Sequence, residues 1–278
     1  LSPSPADVSM RHRRGHVRIA LGRLWVEWLE PADTRSGHPT LVFLHEALGN
    51  AALWRDFPAR LCGLTGCPGL VYDRFGFGDS DPALGARGAD YLARDAADLA
   101  TLLDTLGLAR CIPVGHSDGG TIALQLAAAR PDLAVAVVTE AAHVFVEEQT
   151  LVGIRAAVSA YDNGELRRRL ERHHGLRTDA LFHAWADTWQ APWYRDWDIT
   201  ARLGTVRCPV LALQGSDDDY GTPAQLAAIA GAVSGPVAAQ LLPGVGHSPH
   251  REAAEAVLAR MAAFISRAAD QADSHTGS

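Results

Sequence analysis

The sequence predicts an α/β fold: a mostly parallel, twisted sheet with helices on both faces and an antiparallel hairpin at its N-terminal end. Three observations carry this. Short apolar runs alternate with helical patterns along most of the chain, which implies parallel strands joined by crossover helices. The runs Thr40-Leu41-Val42-Phe43-Leu44 and Gly69-Leu70-Val71-Tyr72 are continuous, the mark of strands buried on both faces. Between about 146 and 205 the alternation halts and helical stretches follow one another without a strand. That stretch is expected to be a helical cap inserted after the sixth strand, leaving 11–145 and 206–268 as the core. Residues 1–10 and 269–278 are polar or proline-bearing and are expected to be disordered tails.

Taken in order, His16 to Glu30 alternates around Gly22-Arg23 as a hairpin. The strand at 40–44 ends in the loop His45-Glu46-Ala47-Leu48-Gly49-Asn50, and a helix is expected from Ala51 to Leu61. The strand at 69–72 empties into Asp73-Arg74-Phe75-Gly76-Phe77-Gly78-Asp79-Ser80. Asp90 is placed to cap a helix that presents Leu92, Ala96, Leu99, Leu102 and Leu103 on one face and stops at Gly107. Strands follow at Cys111–Val114 and Leu133–Thr139. After the helical insertion come a strand at Pro209–Leu213, a helix at Pro223–Ala232, a strand at Val237–Leu242 and a helix from Glu252 to Arg267.

Composition narrows the function. The formal net charge of −7 argues against nucleic acid as a partner. The dense basic stretch Arg167-Arg168-Arg169 with Arg172 is interleaved with Glu165 and Glu171 and reads as a solvated helix face. Four scattered cysteines give neither a disulfide framework nor zinc spacing, so reduced thiols and a cytoplasmic location are expected. No run approaches the roughly 18 apolar residues of a membrane span, and no signal-peptide pattern opens the chain. The expected partner is a small-molecule substrate, with no membrane, and the protein is expected to be a monomer or homodimer.

The chemistry concentrates at three predicted strand ends. Gly115-His116-Ser117-Asp118-Gly119-Gly120 stands between a strand and a helix, the context of a nucleophile elbow. There a serine is held in a strained turn by neighbours without a Cβ, and its hydroxyl is exposed at a helix N-terminus. An acid cluster, Asp217-Asp218-Asp219, follows the strand at 209–213. His247 lies in the glycine loop Gly244-Val245-Gly246-His247 after the strand at 237–242. Serine, aspartate, histidine is a chain order known for one class of catalytic triad, and sites form at the carboxyl ends of parallel strands.

With these motifs in place, the sequence from about His16 to Ile265 resembles the α/β-hydrolase superfamily. The loop 73–80 is similar to the family's glycine loop, Leu213-Gln214-Gly215-Ser216-Asp217-Asp218 to its strand with G-x-x-D, and 244–247 to its G-x-G-H loop. The resemblance implies Ser117 as nucleophile, His247 as base and Asp218 as the acid, with Asp217 and Asp219 as alternatives and His250 as the second-choice histidine. It implies an oxyanion hole from the backbone N–H groups of Ala47 and Asp118. Glu46 stands where the family usually has glycine; it is expected either to tie down the Leu48–Asn50 loop or to transfer protons. No metal or organic cofactor is expected.

Trp185, Trp189, Trp193 and Trp197 recur at a spacing of four within the insertion, although Pro192 must interrupt that helix. With Phe182 and Tyr194 they either pack the insertion onto the core or wall an apolar pocket, for which Glu46, Trp185, Trp189 and Trp193 are the candidates. The expected activity is hydrolysis of a small carboxylic ester with an apolar or aromatic portion through an acyl-enzyme. The same residues also suit a thioester, a lactone or a C–C bond. A small-molecule receptor without turnover is the alternative of another class.

Overall fold

The fold is that of a computed structural model describing residues 9–35, 37–83, 85 and 87–274. The expected tail segments 1–8 and 275–278 lie outside the described residues. The strands are β1 (Met10–Ile19), β2 (Gly22–Pro31), β3 (Thr40–Leu44), β4 (Gly69–Tyr72), β5 (Cys111–His116), β6 (Val137–Glu140), β7 (Val210–Gly215) and β8 (Val237–Leu242). The α-helices are α1 (Phe57–Thr65), α2 (Tyr91–Thr105), α3 (Asp118–Ala129), α4 (Glu148–Asp162), α5 (Glu165–His174), α6 (Thr178–Gln190), α7 (Thr200–Leu203), α8 (Pro223–Ala232), α9 (Pro249–Glu252) and α10 (Ala254–Ser274).

The strands form one sheet in the order β1-β2-β4-β3-β5-β6-β7-β8. β1 and β2 are antiparallel, β2 joins β4 antiparallel, and every pairing from β4 through β8 is parallel. The chain runs from β3 outward to β4, then returns to place β5 on the other side of β3. That reversal opens a crevice at the carboxyl ends of β3 and β5, where open α/β sheets bind ligands.

β3 shows why its residues are all apolar. Val42 and Leu44 face the layer holding α2 and α3, while Leu41 and Phe43 face the layer holding α1 and α10. Pro113 is tolerated in a central strand because the β5–β6 ladder begins only at Val114.

Several boundaries differ from the sequence reading. β1 begins at Met10, inside the expected N-terminal tail. Its first half has no apolar alternation because it is an exposed edge, held by Arg11–Glu30 (3.4 Å) and Arg14–Glu27 (2.8 Å) pairs across to β2. The hairpin turns at Ala20-Leu21, since Ile19 pairs with Gly22. Gly22 instead leaves room for Phe75 and Asp81, which a Cβ would approach to 3.1 Å.

The helix expected from Ala51 splits into a 3-10 turn (Ala51–Trp54) and α1, with Arg55 at φ 53° between them. Asp90 precedes α2 as expected, but its carboxylate binds Arg94 (3.0 Å) rather than the helix end. β6 starts at Val137, because Leu133–Val135 contribute only an isolated Cys111–Ala134 bridge.

The last helix corrects the expectation of a disordered tail from 269. Its buried stripe (Val257, Leu258, Met261, Ile265, Ala268 and Ala269) continues at helical spacing past Arg267 on alanines, which carry little hydrophobic signal.

The helical segment leaves and rejoins the core at one place. Ile199 N–H donates to Val144 O (2.8 Å) and Val146 N–H to Trp197 O (3.2 Å). It is seated on two core loops: His174 Nε2 donates to Leu48 O (2.8 Å), and Arg177 donates to the carbonyls of Ser80 (3.0 Å) and Gly78. None of the four cysteines forms a disulfide, and no described helix is long and apolar enough to cross a membrane.

Ala269 is 0% exposed on the inner face of α10. Ala269→Asp is expected to lower the unfolding free energy by about 1–3 kcal/mol, through burial of a polar group without a partner. A denaturation midpoint equal to wild type would show that this end of the helix does not pack.

Candidate active site

Ser117 follows the last residue of β5 and caps α3 with φ 54° and ψ −118°, a strained conformation for a residue with a side chain. Backbone bonds on both sides fix it. Its N–H donates to Glu140 O (2.8 Å), and its carbonyl accepts from Gly120 (2.9 Å) and Thr121 (3.1 Å). The flanking glycines permit the approach. A Cβ on Gly115 would lie 2.1 Å from the Gly119 carbonyl oxygen, and one on Gly119 would lie 2.1 Å from that of Leu44.

His247 comes from the loop after β8. Ser117 Oγ donates to its Nε2 (3.0 Å), and its Nδ1 donates to Asp218 Oδ1 (2.7 Å). The Asp218 carboxylate also accepts from the N–H groups of Tyr220 (2.8 Å) and Gly221 (3.2 Å) and from the Gln214 amide (2.5 Å). Burial would raise its pKa, but the bond to His247, that ring's charge and the Tyr220 N–H outweigh it and hold the carboxyl below the usual range. Asp217 and Asp219 are exposed, so of the three acids the fold brings only Asp218 to the histidine. His250 turns elsewhere: Nδ1 donates to buried Glu140 (2.7 Å) and the ring lies 4.6 Å from Trp54.

Unforeseen residues hold His247 in place. Glu252 accepts from Gly246 N–H (2.6 Å) and Ser248 N–H (2.9 Å), clamping the loop on both sides of the histidine. His116 donates to the His247 carbonyl (2.7 Å), and Tyr220 packs on its ring at 4.6 Å. Burial, then the neighbouring imidazoles of His250 and His247, lower His116 well below the usual histidine range.

The two proposed oxyanion donors, Ala47 and Asp118, line the same cavity as Ser117. Asp118 opens α3, so its N–H has no intrahelical acceptor. Its carboxylate accepts from Tyr91 OH (3.0 Å), which itself accepts from Trp189 Nε1 (2.9 Å). Arg74 lies 3.9 Å from that carboxylate, pairs with Asp95 (2.7 Å) and donates to the Glu46 carbonyl (2.9 Å). Arg74 therefore joins the loop after β3 to the residue after the serine. Glu46 Oε2 accepts from Leu48 N–H (2.7 Å), the loop-tying arrangement.

These residues open onto a cavity of about 360 Å³, lined on its buried side by Ile154, Leu170, Trp185 and Trp189. Trp193 corrects the pocket expectation: it is 56% exposed and outside the cavity. Pro192 ends the helix that carries Trp185 and Trp189, so the fourfold spacing no longer defines a common face. Arg169 and Arg172 do line the cavity, so that part of the basic stretch is not simply a solvated face. Among the described residues, no group of three His, Cys, Asp or Glu side chains is arranged to hold a metal ion.

Burial raises the Glu46 carboxyl above the usual glutamate range despite the Leu48 N–H. The folded protein then holds this proton at pH values where the unfolded chain has lost it, so its contribution to stability falls as pH climbs between the two ranges. Glu46→Gln keeps an acceptor for Leu48. Its Tm is expected to match wild type in acid and to exceed it near neutrality, and parallel Tm–pH curves would rule out the raised carboxyl.

A family model described as the alpha/beta hydrolase fold matches residues 39–196. The putative carbamate hydrolase RutD of Pseudomonas savastanoi pv. phaseolicola (strain 1448A / Race 6) is 41% identical over 96 residues, 34% of this chain and 35% of that protein. The putative carbamate hydrolase RutD of Variovorax paradoxus (strain S110) is 31% identical over 209 residues, 68% of this chain and 76% of that protein. The chain spans about a third of the length of several curated relatives that it matches. Among solved structures, the 2-hydroxy-6-oxo-6-phenylhexa-2,4-dienoate hydrolase of Rhodococcus sp. strain RHA1 superposes with a TM-score of 0.76 at 17% identity, covering 94% of this chain and 100% of that one. By fold, by strand-end motifs and by these matches, the chain belongs to the α/β-hydrolase family.

Proposed function

We propose that the protein hydrolyses a small carboxylic ester through an acyl-enzyme on Ser117. The observation that carries this reading is the continuous hydrogen-bonded series Asp218–His247–Ser117, at 2.7 and 3.0 Å, with the serine at a strained turn facing a cavity. His247 Nε2 takes the Ser117 proton as Oγ attacks the acyl carbon. The negative oxygen of the tetrahedral intermediate is met by the Ala47 and Asp118 N–H groups, each donor being worth about 2.7–4 kcal/mol. Collapse breaks the bond to the leaving oxygen, which receives the proton from His247. Water then repeats the sequence on the acyl-enzyme and releases the acid. Asp218 fixes the proton on Nδ1 and stabilises the imidazolium as it forms.

Trp185, Trp189 and Ile154 supply an apolar wall that suits an apolar or aromatic portion of the substrate. A carbamate is the second reading, favoured by the names of the relatives. Attack at its acyl carbon makes the same demands on Ser117, His247 and the N–H donors. The receptor reading is weaker, because a serine held for proton transfer serves turnover and not binding.

A fluorophosphonate probe is expected to add once to wild type and not to Ser117→Ala, read by intact mass. Asp218→Asn is expected to lower kcat on nitrophenyl esters by roughly 10⁴, because the amide favours the wrong histidine tautomer. A folded wild type that neither labels nor cleaves esters or carbamates would move the receptor reading ahead.

A further inference from the structure

Four arginines line the cavity that holds Ser117: Arg55, Arg169, Arg172 and Arg251. They come from both sides of the opening. Arg169 and Arg172 project from α5 in the helical segment, Arg55 follows the 3-10 turn after β3, and Arg251 belongs to α9 just beyond His247. All four are exposed, whereas Trp185, Trp189, Ile154 and Leu170 are buried, so the cations mark the open side and the apolar groups the floor. Leu166, Arg169, Leu170 and His173 recur at helical spacing, which turns one face of α5 into this wall. After burial, the charges of Arg172 and then Arg251 lower His173, which places cations of the helical segment and of the core in one electrostatic neighbourhood.

Among the described residues none of these four makes an ion pair. Acidic groups of the helical segment are used elsewhere: Arg167, on α5, binds Glu171 (3.2 Å) and Asp179 (2.7 Å), and Arg155 binds Glu148 (2.7 Å). The two carboxyls that line the cavity are also engaged, Glu46 with Leu48 N–H and Asp118 with Tyr91 and Arg74. The opening is therefore cationic in a chain of net charge −7. Arg55 adds a second sign. It sits at φ 53° and ψ −130°, a backbone conformation that disfavours any side chain, yet an arginine occupies it. Clefts of one charge sign concentrate the opposite charge, and guanidinium groups match a carboxylate in shape and donors.

We propose that these arginines form an anion subsite, and that the substrate is a small ester bearing a carboxylate at the end remote from the scissile bond. This rests on the hydrolase reading above and names its substrate class. The apolar middle of such a molecule lies along Trp185 and Trp189, its acyl carbon reaches Ser117, and its carboxylate stays at the opening.

The test compares a nitrophenyl hemiglutarate with a nitrophenyl hexanoate of similar length. Wild type is expected to favour the hemiglutarate in kcat/KM by about tenfold or more at low ionic strength, falling as salt screens the charges. Arg55→Gly, whose backbone glycine accommodates readily, and Arg169→Gln with Arg172→Gln are each expected to cut that ratio several-fold, mainly through KM. A wild-type ratio near one, or a ratio unchanged in both variants, would overturn the proposal. Failure of the hydrolase reading looks different: neither ester is cleaved and Ser117 does not label. In that case glutarate binding to Ser117→Ala, followed by calorimetry, still decides. Binding that weakens with the arginine substitutions supports the subsite, and no binding removes it.

Discussion

The strained peptide at Ser117 is the constraint on which the rest of the site depends. A side chain at φ 54° and ψ −118° costs about 1–3 kcal/mol. It persists because it is over-determined: β6 holds its N–H, α3 holds its carbonyl, and Gly115 and Gly119 leave no space for relaxation on either side. The strain serves geometry. It lifts Oγ out of the strand–helix junction at the carboxyl edge of the sheet, beside the crevice that the reversal between β3 and β5 creates. Without that displacement, a histidine arriving from β8 has no hydroxyl to meet.

Once the serine is fixed there, the other strands supply partners by register. β7 ends at Gly215 and delivers Asp218, while β8 ends at Leu242 and delivers His247, so carboxylate and imidazole come from adjacent parallel strands. Arg74 does comparable work on the other side. It is a buried cation whose pairing with Asp95 and Asp118 outweighs the penalty of desolvation, and it also donates to the Glu46 carbonyl. The loop that carries Ala47 is thereby positioned against the same helix end that carries Asp118. The chain Trp189–Tyr91–Asp118 ties the helical segment into this network, so a pocket wall and the residue after the serine share one set of hydrogen bonds.

Much of this was legible in the sequence, for reasons that differ by element. Continuous apolar strands announce themselves because both faces are buried, as Leu41 to Leu44 show. Glycines in the elbow are legible because only they fit. The acid was ambiguous from the residues alone: three consecutive aspartates have equal chemistry, and only the turn, which buries Asp218 and exposes its neighbours, separates them. The first half of β1 carries no signal of its own, because its support is charged and comes from β2 rather than from its own periodicity. The clamp of Glu252 is invisible for a related reason, since its two acceptors serve loop N–H groups that carry no sequence signature. The basic stretch of α5 is the instructive case. Its helical period divides Arg167, which pairs outward, from Arg169 and Arg172, but only tertiary placement shows that the second face lines the cavity that holds Ser117.

The charges of the site are arranged by depth. At the floor, each negative group is engaged: Asp218 by four donors, Asp118 by Tyr91 and Arg74, and Glu46 by Leu48, with burial favouring its protonated form. In the proposed mechanism, an oxyanion held by the Ala47 and Asp118 N–H groups therefore meets no free carboxylate. At the rim the balance reverses. Arg169 and Arg172, three residues apart on one helix, repel each other by about 0.2–0.5 kcal/mol, a small penalty because both are exposed. A molecule with one apolar, acylated end and one anionic end has a single favourable orientation in such a gradient. Its carboxylate is attracted to the rim and its apolar part to the tryptophan wall, an orientation that presents the scissile bond to Ser117.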